Sequence, residues 1–184
     1  WGQPGYAYNW PDMCVSNPDL HRFILEQVWD GRNTLRLGQV NTIQYCHCTR
    51  CMSWDSPQPQ PDEIPQFERG AYGPRAISYR YARFWKTVYE LAAKRNPNVR
   101  ATALMYQTTL PAPGAIKLDE HIYGEYCPWT GPATIFPMRK PVDQWSRQQW
   151  LGWQKTGISM IWRPNHLHHG YTMPFLSTRQ VGEF

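Results

Sequence analysis

Tyr81-Ala82-Arg83-Phe84-Trp85-Lys86-Thr87-Val88-Tyr89-Glu90-Leu91-Ala92, followed after Asn96-Pro97 by Val99-Arg100-Ala101-Thr102-Ala103-Leu104-Met105-Tyr106, decides the fold class. Tyr81, Phe84, Trp85, Val88, Leu91 and Ala92 recur at i, i+3, i+4, i+7, i+10 and i+11, the apolar stripe of an amphipathic helix. Asn96-Pro97 stops it, because a residue before proline is pushed out of the helical region. The apolar run from Val99 to Tyr106 is short and reads as a buried strand. A helix feeding such a strand predicts a βα repeat.

The same alternation extends in both directions. Asn17-Pro18-Asp19 supplies an N-cap, a proline at the first helical position and an acid in the first turn. It opens a helix from about Asn17 to Asp30 with Leu20, Phe23, Ile24 and Val28 on one face, closed by Gly31. Thr34 to Asn41 alternates as a strand and runs into a cysteine cluster. Downstream come a strand at His121–Tyr126, a proline-broken loop through Pro141, a helix from about Val142 to Lys155 and a strand at Gly157–Trp162. The stretch from about 53 to 75 is rich in Pro, Gln and Asp without periodicity and reads as a long surface loop.

Alternating strands and helices imply a parallel sheet joined by crossovers. No Gly-x-Gly-x-x-Gly and no phosphate loop supports a nucleotide-binding open sheet. The expectation is an α/β chain, residues 1–184 forming one partial (β/α)8 TIM-type barrel with about half of the strands of a roughly 250-residue barrel. Trp1 at the start and an abrupt close at Phe184 are what a piece of a larger protein would show.

Composition excludes several classes. Ten Trp, eleven Tyr and six Phe in 184 residues rule out a disordered tail. No apolar run approaches the roughly 18 residues of a membrane helix. Nineteen basic against fourteen acidic residues give +5, but the cations are scattered, which argues against nucleic acid as a partner. Oligomeric state leaves no signal.

Cys46-His47-Cys48-Thr49-Arg50-Cys51 places three thiols within six residues, with Cys14 upstream and Cys127 alone. Cys14, Cys46, Cys48 and Cys51 could close a tetrahedral structural zinc site, since zinc takes thiolates without a geometric penalty. One or two disulfides in an exported protein, or plain buried thiols, remain open beside it. None of these readings is catalytic, so no cofactor is expected for chemistry. His166, His168 and His169 lack a recurring ligand spacing.

In a barrel, chemistry sits at the carboxyl ends of the strands. Those positions hold Asn41, Tyr106, Gln107, Glu125, Trp162, Arg163 and Asn165, with Trp129 beside them. Aromatic faces stack on sugar rings, amides bind hydroxyls, and Arg takes a carboxylate bidentately, so a carbohydrate site is expected. Glu125 is the candidate catalytic acid or base; Asn41, Tyr106, Gln107, Trp129, Trp162, Arg163 and Asn165 are the candidate substrate-binding residues. Glycoside hydrolysis normally uses two carboxylates. By position the second could be Asp119, Glu120 or Asp143, or lie outside the chain.

The runs Cys14-Val15-Ser16-Asn17-Pro18, Tyr45-Cys46-His47-Cys48-Thr49-Arg50-Cys51-Met52-Ser53-Trp54-Asp55, Tyr79-Arg80-Tyr81-Ala82-Arg83-Phe84-Trp85, and Ala103-Leu104-Met105-Tyr106 resemble the family called domain of unknown function 4838, over nearly the whole chain. Trp162-Arg163-Pro164-Asn165 is similar to it as well. The resemblance implies a glycoside-hydrolase-like barrel, similar to α-glucuronidases, within large secreted polysaccharide-degrading proteins. It therefore implies an extracellular or periplasmic location. One departure stands out: the family's Asn-Asp pair before the cysteines is matched here by Val40-Asn41-Thr42-Ile43, without an acid. The functional expectation is hydrolysis of a glycosidic bond in a uronic-acid-bearing or related polysaccharide. The alternatives are a non-catalytic carbohydrate-binding barrel and a zinc-bearing interaction module.

Overall fold

The computed structural model describes residues 13–38, 45–56, 77–127 and 140–163. Helix α1 (Pro18–Phe23) begins where the Asn17 side chain accepts the Asp19 backbone N–H at 3.0 Å, and its last turn widens into a π-helix at Ile24–Val28. The face it buries is His21, Leu25 and Trp29; Phe23 and Val28, expected inward, are 55% and 63% exposed. The His21 ring decides this rotation. Its Nε2 meets the Val15 carbonyl at 2.7 Å, and the ring lies between Trp54 and Phe84.

Strand β1 (Thr34–Arg36) follows, shorter than the predicted run to Asn41, although Leu37 still donates to the Thr102 carbonyl. After it come a one-turn helix α2 (Thr49–Met52), the long helix α3 (Ser78–Arg95) and strand β2 (Arg100–Met105). Helix α3 buries the predicted stripe except Leu91, which sits at the edge, and ends before Pro97 as expected. Strand β3 (Ile122–Tyr126), helix α4 (Lys140–Gln154) and strand β4 (Ser159–Trp162) complete the described elements. The predicted alternation has one exception. Between β2 and β3 the chain makes only a 3-10 turn at Gln107–Thr109, because Pro111 and Pro113 interrupt any helix there.

The four strands form one parallel sheet in the order β1-β2-β3-β4. Register aligns Ala103, Gly124 and Met160 in one row, and Met105, Tyr126 and Trp162 in the next. These belong to one face. Tyr126 identifies it as the helix-covered face: its hydroxyl donates to the Ser146 carbonyl of α4, and its ring meets Trp150 edge-on at 5.8 Å. Small residues at 101, 103 and 124 leave room there for Phe84, Trp85 and Trp153, all at most 1% exposed. Leu104, Glu125 and Ile161 align in register on the opposite face, where Ile161 is 41% exposed. His21 against Phe84 and Trp85 against Trp153 place α1, α3 and α4 side by side on the covered face.

Candidate metal centre and the carboxyl edge of the sheet

The cysteine cluster is assembled by two local turns. Asn17 donates its backbone N–H to the Cys14 carbonyl at 2.8 Å, closing a tight turn that turns Cys14 toward the loop after β1. Cys48 is the N-cap of α2, and its Sγ accepts the Cys51 backbone N–H at 3.4 Å. One helical turn therefore brings the two sulfurs of Cys48-Thr49-Arg50-Cys51 together. Cys14 Sγ lies 3.6 Å from Cys48 Sγ and 3.6 Å from Cys51 Sγ, and all four sulfurs, Cys46 included, fall within 4.8 Å of one another. Ser16 Oγ stands 3.0 Å from Cys51 Sγ.

These four cysteines are positioned to bind a metal ion. A zinc–sulfur bond of about 2.3 Å requires tetrahedral ligands roughly 3.8 Å apart, and the sulfur spacing fits that requirement. No disulfide links the cysteines; all five are free thiols. Crowding splits their protonation. The Cys51 N–H, followed by the neighbouring thiols, pulls Cys48 down to about 6. Burial pushes Cys14 up to about 12, helped by its contacts with Cys48 and Cys51. The Cys48 N–H favours the Cys46 thiolate, but burial and the neighbouring thiols outweigh it and raise that thiol. Four sulfurs this close cannot all be anionic without a cation among them.

The centre docks on the first turn of α3. Arg80, 1% exposed, donates from Nε and Nη2 to the two Asp55 oxygens at 2.8 and 2.7 Å and from Nη1 to the Cys46 carbonyl at 2.7 Å. Arg83 lies over the Trp54 ring at 4.8 Å. The start of the predicted surface loop, Ser53–Asp55, is thus bound to α3, and residues 57–76 lie outside the described residues. The N-terminus of α3 sits beside the carboxyl end of β2, where Ile77 donates to the Thr108 carbonyl. The cysteine cluster therefore belongs to the carboxyl edge of the sheet. Arg80, which ties Asp55 and the Cys46 carbonyl to α3, is not among the expected site residues. A cation in a helix's first turn opposes the helix dipole, and that misfit was its one local signal.

Glu125 lies on the face opposite the described helices, with Oε2 3.4 Å from Arg163 Nε; Arg163 Nη1 approaches Cys127 Sγ at 3.9 Å. The structure thus brings Glu125 and Arg163 together, with Cys127 as a third neighbour. Burial pushes Cys127 up to about 11, against the pull of Arg163. Trp162 is turned the other way: it stacks on Tyr126 at 6.0 Å and meets Trp150 edge-on, within the layer between sheet and α4. Tyr106 is only 8% exposed. Asp119 and Glu120 precede β3 and sit at its amino end, the wrong edge to pair with Glu125. The side chains of Gln107 and Asp143 lie outside the described residues, as do Asn41, Trp129, Asn165 and the three histidines from 166 to 169.

A parallel α/β sheet with a tetrathiol cluster clamped to its carboxyl edge defines the class. The chain belongs to the family described as domain of unknown function 4838, whose model matches residues 6–176. No curated protein and no solved structure matches it. Among the described residues no helix is long and apolar enough to cross a membrane.

Proposed function

We propose that the chain is part of a (β/α)8 barrel that hydrolyses a glycosidic bond in a uronic-acid-bearing or related polysaccharide outside the cytoplasm, with zinc held by Cys14, Cys46, Cys48 and Cys51. The observation carrying this reading is the unbroken strand order with every described long helix on one face. An open doubly wound sheet reverses its strand order and takes helices on both faces; a barrel does neither. In a barrel the face opposite those helices would be the interior, and the Glu125–Arg163 pair would lie toward its carboxyl mouth. Glu125 then serves proton transfer at the glycosidic oxygen, and Arg163 orients it and meets a sugar carboxylate. Zinc, with a filled shell and four thiolates, supplies a brace rather than chemistry.

The test screens the full-length protein against aryl glycosides, uronides and plant or algal polysaccharides beside Glu125→Gln. A loss of at least about a hundredfold is expected for a general acid or base. An unchanged rate removes Glu125 from the mechanism. Metal analysis should return one zinc per chain.

One observation favours the second reading, a non-catalytic carbohydrate-binding barrel. Among the described residues Glu125 is the only carboxylate in the strands of the face opposite the helices, whereas hydrolysis normally uses two. Sugar binding without turnover would decide for it. The four-stranded sheet and its core count against a small zinc-bearing interaction module, whose fold would rest on the metal alone.

A further inference from the structure

We infer that Arg80 and Asp55 form the outer layer of the metal centre and set its affinity, with Arg80 acting as the positioning residue for Cys46. The inference rests on the metal reading of the cysteine cluster and goes beyond it to residues that bind no metal themselves.

Three observations carry it. First, Arg80 is in the wrong place for its own helix. It lies in the first turn of α3, where the dipole disfavours a cation, and it is almost completely buried, where an unpaired charge is strongly disfavoured. Its position is compensated by what it holds: both oxygens of Asp55 and the Cys46 carbonyl, with its Cζ 5.4 Å from the Tyr45 ring centre.

Second, the four ligands differ in local support. Cys48 and Cys51 are fixed by the α2 turn, and Cys14 by the turn closed by Asn17. Cys46 sits in neither a helix nor a strand. Its carbonyl is anchored to Arg80. Fixing that carbonyl holds the peptide plane next to the Cα of Cys46 and so narrows the positions its sulfur can reach, where the Cys48 N–H also meets it.

Third, the Arg80–Asp55 pair is neutral as a whole, so it acts on the cluster through orientation and not through net charge. Asp55 keeps the guanidinium's fork aimed, since two parallel N–H···O bonds leave it little rotational freedom. Outer groups of this kind typically alter metal affinity 10–100-fold.

The experiment uses the whole chain, loaded with Co2+ as an optical probe and with Zn2+ for affinity by chelator competition. Wild type should show the intense visible bands of tetrahedral tetrathiolate cobalt. Arg80→Met should weaken zinc binding by about 10–100-fold and lower the sulfur-to-cobalt charge-transfer intensity as Cys46 drops away. Arg80→Lys, which keeps the charge without the fork, should recover only part of the loss. Asp55→Asn is the companion should Arg80→Met fail to fold: it keeps Arg80 but leaves its fork one acceptor oxygen instead of two, and should weaken binding in the same direction as the fork loses its aim. Wild-type affinity and spectra in Asp55→Asn, or in folded Arg80→Met, overturn the inference while leaving the metal centre standing. Failure of the wild type to bind either ion overturns both.

Discussion

The indole of Trp85 packs against that of Trp153 with ring centroids 5.7 Å apart, both side chains fully buried. This contact joins α3 to α4 and places both on the same face of the sheet. Trp153 also donates Nε1–H to the Leu110 carbonyl at 3.1 Å, which ties in the non-helical connection between β2 and β3. Trp153→Ala should therefore cost about 3–5 kcal/mol, read as a lower urea midpoint. A loss below about 1 kcal/mol would contradict the shared seam.

Metal removal should loosen one corner of the protein before the rest. Trp54 donates its N–H to the Cys51 carbonyl and its ring meets His21, so the Ser53–Asp55 segment is tied to the cysteines, whereas Trp85 packs on Trp153. Free zinc at about a hundred times its Kd should add about 2.7 kcal/mol to stability, and a chelator should abolish that gain. Proteolysis of the chelated protein should begin between residues 45 and 56. Equal stability with and without chelator would exclude a structural metal.

Gly157 should tolerate no side chain. Its φ is +95°, and a Cβ would fall 2.8 Å from the Leu118 carbonyl oxygen, which is backbone and cannot swing away. Leu118 is itself pinned by its N–H to Thr156 O at 2.7 Å. Gly157→Ala should cost about 1–3 kcal/mol, whereas Gly38→Ala, with open space around it, should be near neutral. Equal melting temperatures for the two variants would refute the assignment.

Alkaline titration should report on Tyr89. Burial first, then the Asp119 carboxylate beside it, pushes its phenol up to about 12, above the ordinary value near 10. A raised folded-state value stabilises the protonated form. Its contribution is therefore complete below about pH 10 and is lost as pH rises toward 12. The stability difference between wild type and Tyr89→Phe should shrink across that window, measured by thermal melts of the metal-loaded protein. A difference independent of pH would sink the prediction.

Much of the architecture was readable from local order. The Tyr81–Ala92 stripe, the Asn17-Pro18-Asp19 start and the four strand runs each reflect a period or a cap, and these act over a few residues, so each element appeared near its predicted place. The exceptions came from longer range. Helix α1 turned His21, Leu25 and Trp29 inward because His21 had a carbonyl and two aromatic rings to fill, a demand its own stripe does not record.

Periodicity, caps and composition were enough for the α/β class, the parallel strands and the thiols available to a metal. Long-range packing was needed to join Cys14 to Cys46, Cys48 and Cys51 while Cys127 meets Arg163, to set Arg80 on Asp55, and to face Trp162 toward α4 and Glu125 away from it. The reason is physical. Cys14 and Cys48 are brought to 3.6 Å, and Arg80 to Asp55, by the packing of elements far apart along the chain, and no spacing in the sequence encodes a distance that packing alone sets.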